Sequence, residues 1–123
     1  MNILINYVLK NDIRFHYKTY SLGEIEQGID KLFDHWNYTI IAKRIFTGLK
    51  DKNGKNIFEG DILNHVPKFE TLYEVKWLVG GFYICPIGEN YGEYFSSGFA
   101  GYDEETKQCN SIEVVGNIYE NNK

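Results

Sequence analysis

The chain has 123 residues, 17 of them acidic and 13 basic, for a formal net charge of −4. That length allows one domain, or one domain with a small N-terminal addition. With 43% apolar and 24% charged residues the composition is that of an ordinary globular chain, not a disordered one. The acidic balance argues against a general nucleic-acid binder, which works by displacing counterions with cations. The only arginines, Arg14 and Arg44, leave little of the residue best suited to bidentate phosphate contacts.

Aromatic residues make up 16% of the chain, and rings of this kind favour strands and contact surfaces. Ile3, Ile5, Tyr7 and Leu9 alternate with Asn2, Leu4, Asn6 and Val8, so residues 2–9 read as a strand covered on both faces. Asn11-Asp12 is turn chemistry and Arg14 to Tyr20 alternates again, which predicts a hairpin over 2–20. Ser21-Leu22-Gly23-Glu24 has the form of a capping box. Leu22, Ile25, Ile29, Leu32 and Phe33 then fall on one helical stripe, predicting a helix over about 22–34 that lies on the sheet. Residues 37–49 read as one long strand or two joined ones.

Asp51-Lys52-Asn53-Gly54 between apolar runs is a hairpin turn, the Asp capping it and Asn-Gly accepting left-handed backbone. Glu59-Gly60-Asp61 breaks the return strand, Ile62-Leu63 opens another, and Pro67 ends it. Tyr73, Val75, Trp77 and Val79 alternate with Glu74 and Lys76 as a half-buried strand, which Gly80-Gly81 turns into Phe82 to Cys85. Residues 88–110 have no period. A last strand over 112–119 is interrupted at Gly116, where a bulge or close backbone approach is expected. The fold class is therefore α+β, mainly β. A β-β-α-β segment over 1–43 packs on a small barrel over 44–123, closure being one way to remove sheet edges.

Two blocks carry a family resemblance. Ile45 to Ile62 (IFTGLKDKNGKNIFEGDI) and Glu113 to Asn121 (EVVGNIYEN) resemble the signature of the YopX family of phage and prophage proteins. Residues 71–84 match more loosely, and residues 1–40 do not match typical members. The resemblance implies an SH3-like β-barrel in the C-terminal part and an origin in a bacterial virus or integrated element. It implies no activity.

Catalysis and metal binding find no support in the residue pattern. His16, His35 and His65 are scattered singly, and His35 fits a dipole contact at a helix end. Cys85 sits on a predicted buried strand beside Pro86, and Cys109 in a polar loop, so neither reads as a nucleophile and a disulfide between them is not expected. Asp61 reads as a backbone-bonding residue, and Asp103-Glu104-Glu105 as a solvated acidic run. No cofactor site is predicted: the glycines at 48, 54, 60 and 116 are backbone-geometry positions with no dinucleotide fingerprint.

The segment from Tyr91 to Tyr102 sets Tyr91, Tyr94, Phe95, Phe99 and Tyr102 among Gly and Ser. It reads as a contact surface, or as a core plug formed by Phe95 and Phe99 with half-buried tyrosines. Two functions follow. One is an interaction module, without catalysis, that self-associates as a homo-oligomer or docks on a host or phage protein. The other is a nucleic-acid-associated factor using Lys43, Arg44, Lys50, Lys52 and Lys55. The opening residues carry no targeting or membrane-spanning pattern, which reads as a cytoplasmic location in a bacterial host.

Overall fold

The computed structural model describes residues 3–32, 38–65, 72–95 and 98–120. Chain contacts divide into two compact units, residues 1–46 and 47–123.

In the first unit, β1 (Leu4–Lys10) and β2 (Phe15–Ser21) form the expected antiparallel hairpin, in register from Leu4↔Ser21 to Lys10↔Phe15. Asn11 shapes its turn, the side-chain oxygen accepting from the backbone N–H groups of Ile13 and Arg14 at 2.9 Å each. β3 (Thr39–Lys50) is one long strand, antiparallel to β1 on the side away from β2, with a register shift between Val8 and Leu9. The capping box forms: Glu24 N–H donates to Ser21 Oγ at 3.1 Å, and Ser21 N–H to Glu24 Oε1 at 2.8 Å.

The helix it starts is shorter than the apolar stripe predicts. α1 (Leu22–Glu26) stops at Gln27, and a 3-10 turn takes over at Ile29–Leu32. Gly28 lies between them at φ +78°, a left-handed backbone that a continuing α-helix cannot contain. Apolar spacing alone does not register such a break, since the same residues can supply a short helix and a separate 3-10 turn. The predicted helix end near residue 34 and the His35 contact lie outside the described residues. The unit's core is Tyr7, Leu9 and Tyr20, with Ile5, Ile25 and Tyr38 packed against it.

In the second unit, the Asp51 turn leads into β4 (Asn56–Phe58), which pairs back on β3. β5 (Asp61–His65), β6 (Leu72–Leu78), β7 (Gly81–Pro86) and β8 (Glu93–Tyr94) form an antiparallel meander, and β11 (Ile112–Asn117) adds to the free side of β5. The register shifts between Val114 and Gly116, which is the bulge expected there. The aperiodic stretch also holds two minimal strands, β9 (Tyr102–Asp103) and β10 (Gln108–Cys109), the latter parallel to β3 at Lys50. Pro67 lies outside the described residues.

The five-stranded order β11-β5-β6-β7-β8 leaves β8 unpaired with β11, so among the described residues these strands form an open sheet and not a closed barrel. The far side of β11 is covered by other means. Lys52 N–H donates to Ile112 O at 3.0 Å and Val114 N–H to Asp51 Oδ2 at 2.9 Å, so the turn occupies the edge that closure would have removed. Ile57, Leu63, Val75, Ile84, Phe95, Ala100, Cys109 and Ile112 form one buried cluster inside.

Candidate functional site

Asp51 organises the lysine-rich turn. Its carboxylate is 1% exposed and accepts three backbone N–H groups, from Asn53 and Lys55 at Oδ1 and from Val114 at Oδ2, each at 2.9 Å. Gly54 completes the turn at φ +80°. Asp61 works similarly, Oδ2 accepting Phe58 N–H at 2.8 Å, and Asn117 Oδ1 accepts from Tyr119 and Glu120. Asp51, Asp61 and Asn117 of the signature blocks thus satisfy backbone amides, as read for Asp61.

With Asp51 turned inward, Lys50, Lys52 and Lys55 stand exposed around the turn. Lys43 and Arg44 belong to the first unit. Lys43 places its ammonium 4.9 Å from the Tyr7 ring centroid. Arg44 is 5% exposed, donates to Asn6 Oδ1 from Nε at 3.2 Å and from Nη2 at 2.9 Å, and lies over the Tyr17 ring. Its guanidinium is therefore engaged inside the protein and turned away from solvent.

The five aromatics of residues 91–102 divide. Tyr91 is exposed, while Phe95 is in the core at 6% exposure. Phe99 packs on His65 and Tyr73, with centroids 4.5 and 5.2 Å apart, and its carbonyl lies 2.8 Å from His65 Nε2. Tyr94, Phe95 and Tyr102 meet at one cavity of about 270 Å³, completed by Thr47, Leu49, Gly81 and Phe82. Tyr94 is half exposed at this cavity. Its ring lies 4.6 Å from that of Tyr83, across the Tyr83↔Tyr94 pairing of β7 and β8, and the Tyr83 hydroxyl donates to the Tyr94 hydroxyl at 2.8 Å. That bond raises the Tyr83 pKa, with burial adding to it. Phe82 and Tyr83 were visible in the sequence only as strand residues. Their place beside Tyr94 depends on the β7–β8 register.

A second cavity, also about 270 Å³, lies where the two signature blocks meet, between the Glu59-Gly60 turn, β6 and Ile118-Tyr119. Residue spacing gave no sign of it, because its walls come from four separated segments, Asn90 being the fourth.

Cys85 and Cys109 are both free and 0% exposed. Cys109 is therefore a core residue on β10 and not part of a polar loop, its polar neighbours facing out while its thiol points in. Burial pushes both thiols up, that of Cys109 to about 11 with Asp51 contributing, which opposes thiolate chemistry. Asp103 Oδ1 accepts Glu105 N–H at 3.0 Å, so the acidic run forms a local turn. Among the described residues no group of three His, Cys, Asp or Glu side chains is arranged to hold a metal ion. No described helix is long and apolar enough to cross a membrane.

Fold and cavities together define a small, mainly β protein whose second unit carries, among the described residues, the two hollows named above. The chain belongs to the YopX family, described as YopX protein, whose profile matches residues 7–123. The match extends well into the first unit, beyond the blocks that carry the resemblance in sequence. No curated protein matches the chain. Among solved structures it is similar to protein EF1440 from Enterococcus faecalis, with 26% identity over 94% of this chain and 72% of that one and a TM-score of 0.48.

Proposed function

We propose that the protein is a phage or prophage accessory factor of the bacterial cytoplasm that binds another protein or a second copy of itself, without catalysis. Its second unit is an SH3-like arrangement in this reading, an incompletely closed β-structure that presents side chains at its open end. One observation carries the proposal: the cavity beside Tyr94, whose rim is an exposed tyrosine held in place by Tyr83. A stacked and hydrogen-bonded tyrosine pair offers contact area with little conformational entropy left to lose, as interface anchors do. The cavity's apolar wall, Leu49, Phe82 and Phe95, suits an aliphatic or aromatic side chain.

The test combines sedimentation at several concentrations with affinity capture from lysogenic host lysate. Tyr94→Ala with Tyr102→Ala should weaken self-association or capture at least tenfold, in the manner of interface anchors worth about 2 kcal/mol, while leaving the fold intact. Phe95→Ala should instead destabilise the unit by about 3–5 kcal/mol, as a core ring does. Unchanged association and capture in the folded double variant would refute the reading.

The second reading, a nucleic-acid-associated factor, is favoured by the outward cationic face of the Asp51 turn, where Lys50, Lys52 and Lys55 are exposed around an inward carboxylate. It requires salt-sensitive binding to DNA or RNA that is lost when these three charges are reversed.

A further inference from the structure

The cavity between the signature blocks has a chemistry of its own. Gly60 N–H donates to Val75 O at 2.8 Å and Ile118 N–H to Gly60 O at 2.9 Å, tying the turn, β6 and the C-terminal segment into one wall. Glu74, Lys76 and Leu78 share a face of β6 by strand alternation, and Glu59 and Tyr119 complete the lining. Glu59 and Glu74 are both half-buried, and among the described residues no hydrogen bond or ion pair engages either carboxylate. The lysine in the wall does not supply the missing partner: its ammonium donates to Glu89 O at 2.8 Å and to Asn90 Oδ1 at 2.9 Å. Two carboxylates thus line one hollow, and among the described residues no cation pairs either one.

We propose that this cavity receives the guanidinium of an arginine side chain presented by a partner protein. Its volume of about 270 Å³ falls below the roughly 300–1,000 Å³ usual for small-molecule sites and suits a single side chain. Leu78, Ile118 and Tyr119 give the aliphatic stem an apolar wall, while Glu59 and Glu74 supply carboxylate acceptors for the planar head. A guanidinium, with its fork of donors, satisfies two separated carboxylates better than a point-charge ammonium. The inference shares with the proposed function only the premise that the chain captures a protein. It concerns a different cavity, and its test does not depend on the Tyr94 surface.

The probe is Nα-acetyl-arginine amide, titrated into the full-length protein while the amide resonances of Gly60 and Ile118 are followed. Nα-acetyl-citrulline amide serves as the neutral isostere. Saturable shifts are expected with the arginine derivative at a Kd of roughly 1–10 mM, weakening with added salt, and at least tenfold weaker binding with citrulline. Glu59→Gln and Glu74→Gln should each weaken binding about three- to tenfold, and retained spectral dispersion shows that the variants are folded. Citrulline binding as tightly as arginine, no shift at Gly60 and Ile118, or full binding by the Glu59→Gln/Glu74→Gln double variant would overturn the proposal. Loss of capture in the Tyr94 variants with arginine binding intact would separate the two sites.

Discussion

Replacing Asp51 by alanine should be among the most damaging single changes in the second unit. The carboxylate accepts three amides at 2.9 Å and is 1% exposed, so truncation leaves three N–H groups without their acceptor. Asn53 and Lys55 lie on the exposed side of the turn, where water can replace part of what is lost, but Val114 is half-buried in the last strand. Allowing about 1 kcal/mol for each turn amide and about 2 kcal/mol for the strand amide gives a destabilisation of about 4 kcal/mol. Cys85 and Cys109 report on this unit alone, since both are fully buried and both lie within residues 47–123. Their labelling by a thiol reagent should proceed through opening of the unit and rise about 10²–10³-fold in Asp51→Ala, with a urea midpoint lower by about 2 M. Asp51→Asn keeps one acceptor oxygen but turns an NH₂ towards a donor, so it should fall between parent and alanine. Labelling of Asp51→Ala within threefold of the parent rate would refute the idea that this carboxylate joins the turn to the last strand.

Gly60→Ala should cost about 1–3 kcal/mol in urea unfolding, because the residue sits at φ +85° and its new Cβ would lie 3.1 Å from Tyr119 Cε2. Gly60→Asn should recover part of the backbone cost, as Asn tolerates left-handed backbone. Tyr7 gives a pH-dependent prediction. Burial, then the 2.7 Å hydrogen bond its hydroxyl donates to Asp30 Oδ2, raise its pKa from 10.0 to about 12. A folded pKa above the unfolded one means the contribution is fully present below pH 10.0 and fades as pH rises towards about 12. Ultraviolet titration should find late-ionising tyrosines, since Tyr20 and Tyr83 are raised as well, and Tyr7→Phe should take one tyrosine out of that late group. The same variant strands an acceptor on Asp30, which is 8% exposed, and should lower stability by about 1–3 kcal/mol.

Local chemistry was legible where it was completed locally. Ser21 and Glu24, Asn11 with the amides that follow it, and the Asp51-to-Gly54 turn all form bonds within four residues, so their spacing announces them. Alternation likewise placed β6 and β7, because Tyr73 and Val75 face a core on one side only. The helix was overextended, since the stripe from Leu22 to Phe33 does not reveal that Gly28 takes a left-handed conformation. Cys109 was misplaced because residues 102–110 contribute only two-residue strands, too short for alternation to register.

By itself, the sequence determined a mainly β chain, its hairpins, its capping box, the bulge near Gly116 and the family blocks, all features encoded over a few residues or in a run of them. Only the tertiary structure decided which side chains share a hollow. Arg44 is taken up by Asn6 from β1 and Tyr17 from β2. Phe95 turns inward while its neighbour Tyr94 faces out onto Tyr83. Glu59 and Glu74, far apart in the chain, face one cavity together with Tyr119. Strand register and chain return set these juxtapositions, and no single segment carries the information for either.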